Sequence, residues 1–440
     1  VSATLLVRGA AVVWTGERTL HDADVLAVDG RVAAVGPGLE APAGATILDA
    51  RGCLVAPGLV NAHHHLLQSA FRTLPGTRGV PMAEWLGVMS SAYAAVGVDP
   101  ELCGAAARVG LAESLLCGVT TVADHHLTWP AGADHLAMAT AVMDAARGLG
   151  ARLVFVRGTA GDDAAIAAAA ADALAGVVGG PVSGDGLVGL AVGPAGVHSD
   201  GRETFAALRE VALHHGLARR TQANEQVDVE RARERYGRRP LELLRDWGWL
   251  EPGVTVAHLC ALTPDEVALV AGCGVHATHA PGCDLPMGWG LAPAGALLDA
   301  GVAVGLGTSG GGSNDAGHLL ADARLALQAS PLSGRALTAD ECLRMATRGS
   351  ATGLARPELG HLEPDAAADV NVYDLGGVAD AGVADPVAGL LWASPGRRPR
   401  DVAVAGRVVV RDGALTTADE RALAADLRAL LAARRQGAVA

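Results

Sequence analysis

CLVAPGLVNAHHH, residues 53–65, is an apolar run that ends in three imidazoles, and the rest of the chain is organised around it. On a β-strand, residues i and i+2 share a face, so His63 and His65 project together while His64 points away. Two imidazoles side by side at the mouth of a strand are half of a zinc site. The near-continuous apolar character before them fits a parallel strand buried on both faces.

Similar apolar runs recur downstream at 120–126, 153–159, 187–193, 219–224, 254–259, 275–279 and 302–307. Each is followed by an Ala/Leu-rich helical segment or by a loop leading to one. With 59–65 they make eight βα units, so residues 56–360 predict an α/β fold of the (β/α)₈ TIM-barrel type. The Ala-rich stretch 164–175 reads as a helix packed outside the barrel. On either side of the barrel the pattern changes to short alternating strands with Asp-Gly and Pro-Gly turns, over residues 1–55 and again over 361–415. These two segments predict one small β-sandwich domain built from both ends of the chain, and 416–440 predicts a closing helix.

Composition narrows the function classes. The net charge is −13, which argues against nucleic-acid and anionic-membrane partners. The chain contains no lysine, which excludes a Schiff-base lysine, a P-loop lysine and a carbamylated lysine bridging two metals. Seven cysteines are scattered without a CxxC pair and read as small buried residues of a reducing compartment. No apolar run is long enough to span a bilayer, and the first residues lack the features of a leader, so the expectation is a soluble cytoplasmic protein.

Several strands end in polar or ionisable residues: His63 and His65, His125 and His126, Gln222 with Glu225 close behind, His258, His279 and Ser309. Barrel active sites form at these C-terminal strand ends, so the set is expected to meet in one pocket.

With these residues in place, the chain resembles the amidohydrolase superfamily. The matching stretches are PGLVNAHHHLLQSAFR, LAESLLCGVTTVADHHL, HAPGCDLPMGWGLAP, GLGTSGGGSND and MATRGSATGLARPELGHLEPDAAADVNVYDL. Within the superfamily it looks most like the triazine hydrolase and 8-oxoguanine deaminase branch. The resemblance implies a homodimer and one divalent metal per chain, zinc by ligand type, with His63, His65 and His258 as the matching ligands. Two positions depart from the family pattern. Gln222 stands where a ligand His is usual, three residues before the retained Glu225, and Ser309 stands where Asp is usual.

Three histidines with an open position are a sufficient catalytic zinc set. Gln222 could add a weak amide oxygen, but it more readily binds substrate or a water. Ser309 is a third catalytic candidate beside Glu225 and His279, yet it cannot act as a carboxylate base. Glu225 can, and it can carry a proton across a reacting centre. Gln68, His126 and Asp284 are placed to contact substrate, and Trp85, Trp129 and Trp289 offer flat walls for an aromatic ligand, although each tryptophan also suits a core position. Asn314 could orient substrate or cap a loop. The run Gly310-Gly311-Gly312 has no lysine after it, so it reads as close backbone approach rather than a phosphate cradle.

The resulting expectation is a zinc enzyme acting through a tetrahedral carbon on a small aromatic or N-heterocyclic substrate. The weakened means of making hydroxide leans it toward a biosynthetic, benzoxazole-type cyclodehydration. Hydrolysis by a deaminase or triazine-type hydrolase is the alternative. A metal-free binding protein is a second alternative, and metal analysis separates it from both.

Overall fold

The computed structural model describes residues 3–437. Its central feature is a ring of parallel strands running Leu59–His65, Val119–His126, Arg152–Thr159, Val188–Pro194, Ala218–Ala223, Val254–His258 and His276–His279. The last barrel strand is split. Val304–Leu306 pairs with His276–His279, and after Gly307-Thr308 the chain continues as Ser309–Gly310 against Leu59–His65, which closes the ring. The break has a steric cause: a Cβ at Gly307 would lie 2.6 Å from the Cβ of His63, so only glycine lets these strands pass. The single run expected at 302–307 is thus two short strands. The other barrel strands fall within a residue or two of their expected bounds. The Ala-rich segment is the helix Ala164–Val178.

Val60, Ala123, Val154, Val156 and Ala191 pack with Ala351 and Leu354 and close the barrel interior below the site. Arg220 is fully buried among them, donating to the carbonyls of Ala62 and Gly353.

Strands from both ends of the chain join one nine-stranded sheet, rather than the two separate layers a sandwich suggests. Leu5–Trp14 carries an irregularity between Val7 and Ala10. Its first half pairs with Thr46–Asp49 and its second half with Cys53–Pro57, so a single sheet turns a corner there. The inner faces share one core, in which Leu5, Val25 and Leu48 meet Val370, Val372 and Ala403. Val370–Asp374 pairs antiparallel with Cys53–Pro57, and this joins the two ends of the chain.

A buried ion pair ties this sheet to the barrel: Arg152 Nε and Nη2 donate to Asp369 at 2.9 and 3.0 Å. The closing helix is Glu420–Gly437, pinned by Arg434 to Asp99 at 2.8 Å; the expected helical residues 438–440 lie outside the described part. All seven cysteines are free, and every one except Cys273 is buried. No helix among the described residues is long and apolar enough to cross a membrane.

Candidate active site

A cavity of ≈ 830 Å³ opens at the C-terminal ends of the barrel strands, where the expected residues were placed. His65, Gln68, Trp85, His126, Trp129, Gln222, Glu225, His258, Trp289 and Ser309 all line it. His63 lies directly behind them. Its ring stands between those of His65 and His258, 4.8 and 5.1 Å away centre to centre.

Each of the three imidazoles has its outer nitrogen fixed or its inner one free. His65 Nδ1 is 2.7 Å from the carbonyl oxygen of His125, which leaves Nε2 available. His258 Nδ1 is 2.7 Å from Asp284 Oδ1, and its Nε2 looks toward Gln222 Oε1 at 3.1 Å and Glu225 Oε1 at 3.7 Å. His63 Nε2 is buried with no hydrogen-bond partner among the described residues. A histidine held on one side by a carbonyl or carboxylate, with the other nitrogen presented inward, is how proteins orient metal-binding imidazoles. Buried polar atoms rarely go unpaired, so the bare Nε2 of His63 fits a cation at this position.

His258, Cys260 and Asp284 also bring ligand-type atoms within 4.8 Å of one another. That grouping lies on the outer side of His258. Asp284 already engages His258 Nδ1, and burial drives the Cys260 thiol well above its ordinary pKa, so it offers no thiolate. The inner face, with three imidazoles, is the better metal site.

Backbone geometry sharpens the arrangement. Asn224, His258, Leu259 and Ser309 have φ of 58°, 70°, 57° and 56°, left-handed values that non-glycine residues seldom adopt. Such strain collects where surrounding structure holds functional groups in place.

Electrostatics follow from burial. Desolvation pushes the Glu225 carboxyl upward, and its Oε2 has no partner among the described residues. Burial disfavours the His258 imidazolium, but Glu225 and Asp284 on either side raise it to about 9. His63 is held well below the usual range by burial and by its neighbouring imidazoles. His126 falls to about 3 and Asp124 rises to about 7, both through burial. Both shifts favour the neutral form, so their 3.9 Å approach is not an ion pair.

Several expected roles change with the structure. Asp284 does not line the cavity; its carboxylate is engaged with His258, so it orients that ring instead of meeting substrate. His279 is buried, does not line the cavity, and is lowered to about 4 by burial, which places it behind the wall. Gln68 faces the cavity, yet its Oε1 accepts from Gly312 N at 3.0 Å and braces the glycine run. A Cβ at Gly311 would come within 2.6 Å of the Gln68 carbonyl oxygen, so the run serves close approach. Asn314 holds loops: its amide donates to Thr308 O at 2.9 Å and to Asp322. Trp85 meets Trp289 at 5.4 Å, and Trp129 lies under the Arg157 guanidinium at 4.2 Å. His125, expected at a strand end, lines the wall as well, and His198 and Arg231, not among the expected site residues, complete it. For His198 the only trace in the sequence is a histidine shortly after the Gly-Pro at the end of the fourth barrel strand.

Asp322 gives a stability prediction. Burial raises its carboxyl from 3.8 to about 7, against hydrogen bonds from Asn314 and Gly282. The folded protein keeps a proton that the unfolded chain loses above 3.8, so this group's contribution is complete at low pH and fades as pH rises toward 7. Asp322→Asn is therefore expected to gain Tm relative to the parent between pH 5 and pH 7.5, on the order of a few kcal/mol in stability. A constant difference across that range would refute the shift.

Comparison with known proteins agrees with this geometry. A family model described as Amidohydrolase family matches residues 54–409. The chain is 31% identical to 8-oxoguanine deaminase of Pseudomonas aeruginosa over 97% of this chain and 98% of that one. It is 34% identical to 5-methylthioadenosine/S-adenosylhomocysteine deaminase of Halobacterium salinarum, over 99% of each. The zinc complex of atrazine chlorohydrolase from Arthrobacter aurescens TC1 superposes with a TM-score of 0.90 at 37% identity, covering 97% of this chain and 100% of that one. These relatives are deaminases and a chlorohydrolase, and none supports the cyclodehydration expected above; hydrolysis fits better. The expectation rested on Gln222 and Ser309 weakening hydroxide formation, whereas the fold keeps Glu225, with a free oxygen, beside His258. With the matched region spanning the barrel and reaching into the terminal sheet, the chain belongs to the amidohydrolase family.

Proposed function

We propose that the chain is a zinc-dependent aminohydrolase that removes an amino-type leaving group from a small N-heterocycle by adding water to a ring carbon. One observation carries the reading: the unpartnered, buried Nε2 of His63 between the rings of His65 and His258, with Glu225 alongside. The family and the heterocycles named for its relatives support the substrate class.

His63, His65 and His258 would hold the metal. When bound, zinc supplies a Lewis acid that makes water acidic enough to attack near neutral pH. Glu225 accepts a proton from the attacking water and returns it to the departing nitrogen. Its raised pKa suits that exchange, because a carboxyl poised nearer neutrality gives a proton back more readily. Trp85 and Trp289 flank the ring on one side and Trp129 lines another wall. A cavity of ≈ 830 Å³ suits a one- or two-ring compound.

The test pairs elemental analysis with ammonia release from 8-oxoguanine, 5-methylthioadenosine and amino-substituted triazines. About one zinc per chain and ammonia from at least one compound are expected. A folded protein that takes up no zinc would leave the binding-protein alternative in front. Zinc without ammonia from any compound would refute the aminohydrolase reading.

Gln222 gives a second measurement. Its Oε1 lies 3.1 Å from His258 Nε2, within reach of the proposed metal position. Gln222→His adds an imidazole ligand there and is expected to tighten zinc binding about tenfold or more in chelator competition. Unchanged affinity would put this position outside the metal's reach.

A further inference from the structure

The loop after the fourth barrel strand and the turn carrying Glu225 are fastened to one buried carboxylate. Asp228 Oδ2 accepts the backbone N–H of Asn224 at 2.9 Å. Asp228 Oδ1 accepts the backbone N–H of His198 at 3.2 Å and lies 3.3 Å from that ring's Nδ1. The ring is also wedged from below. A Cβ at Gly196 would stand 2.7 Å from His198 Nδ1 and 3.1 Å from the carbonyl oxygen of Gln222, so the imidazole needs glycine there.

His198 is 7% exposed and lines the cavity. With Nδ1 turned into the protein, Nε2 sits on the opposite side of the ring, and no hydrogen bond engages it among the described residues. Burial alone would lower this imidazole's pKa, yet Asp228 and Glu225 carry it above the ordinary value. Arg231 lines the same wall and donates to the carbonyl of His198 at 3.3 Å. Asp162, also on the cavity wall, is drawn to Arg157 at 3.1 Å. The guanidinium contacts on this side go to protein oxygens, and the His198 Nε2 is left without a partner among the described residues.

We propose that His198, clamped by Asp228, recognises the substrate by donating a hydrogen bond from Nε2 to an oxo oxygen on the edge of the heterocycle. This rests on the heterocycle reading given above and narrows it to oxo-substituted rings. Asp228 is a positioning residue in this arrangement, acting through the ring it holds. A site built to pair with an oxygen discriminates strongly against a ring that lacks it, because the buried donor is left unsatisfied.

The experiment measures binding by quenching of the cavity tryptophans in zinc-loaded Glu225→Gln protein, so turnover plays no part. The probes are uric acid, which carries oxo groups on both rings, and purine, which carries none. Uric acid is expected to bind about tenfold or more tighter than purine. His198→Phe, of similar bulk, should reduce that preference to within about twofold and leave purine binding unchanged. His198→Gln, whose amide nitrogen can stand near the position of Nε2, should restore most of it. Asp228→Asn should weaken the preference without loss of purine binding. Absence of a preference in the parent, binding of neither probe, or equal weakening of both by His198→Phe overturns the proposal. Failure of the aminohydrolase reading is scored separately, by ammonia release from the active protein.

Discussion

Glu225→Gln is expected to cut turnover by about 10²–10⁴-fold while zinc content stays at the parent level. The amide fills the same space, so the buried pocket beside His258 is preserved, but it cannot accept a proton. The carboxylate has an oxygen 3.7 Å from His258 Nε2 and a second with no partner among the described residues. That free oxygen is what a proton-transfer role requires and a purely structural role does not. A variant that keeps more than about a tenth of the parent rate would assign proton transfer to another group. Loss of zinc along with activity would instead place Glu225 in the metal site.

The second large effect lies far from the cavity. Asp369→Ala should destabilise the protein by about 3–5 kcal/mol, read from the denaturation midpoint. Both partners are nearly sealed from solvent, with the Arg152 and Asp369 side chains 5% and 3% exposed. Removing the carboxylate strands a buried guanidinium between barrel and terminal sheet, and also frees the backbone N–H of Ala405, which Asp369 accepts at 2.8 Å. Breaking one half of such a pair costs more than replacing both halves with apolar groups. Arg152→Met combined with Asp369→Leu should therefore recover most of the loss. A loss below about 1 kcal/mol for Asp369→Ala would show that water reaches the pair.

Much of the architecture was legible because barrel strands announce themselves locally. A run buried on both faces is apolar at nearly every position, and the polar residue that follows marks the end at which the site forms. His63, His65, His258 and Glu225 could be named as candidates on that basis together with the family resemblance. The three tryptophans stood out only as flat apolar residues that also suited a core, and the structure puts them on the cavity wall. The terminal sheet was harder to read. Alternation revealed strands but not that the irregularity between Val7 and Ala10 bends one sheet around a corner. The lean toward cyclodehydration failed for a related reason: Gln222 and Ser309 were weighed as residue types, while the position of Glu225 beside His258 depends on how the fifth and sixth barrel strands meet.

By itself, the sequence determined the barrel, the strand-end imidazoles, the carboxylate that follows Gln222 and the absence of lysine chemistry. These depend on periodicity and residue type within short windows. Only the tertiary structure decided that Asp284 orients His258, that His279 stands behind the wall, and that His198 enters the cavity on the arm of Asp228. Those assignments depend on side-chain direction across separate loops. Burial and a hydrogen bond from a distant residue settle that direction: Asp284 stands 26 residues from His258 and Asp228 30 residues from His198.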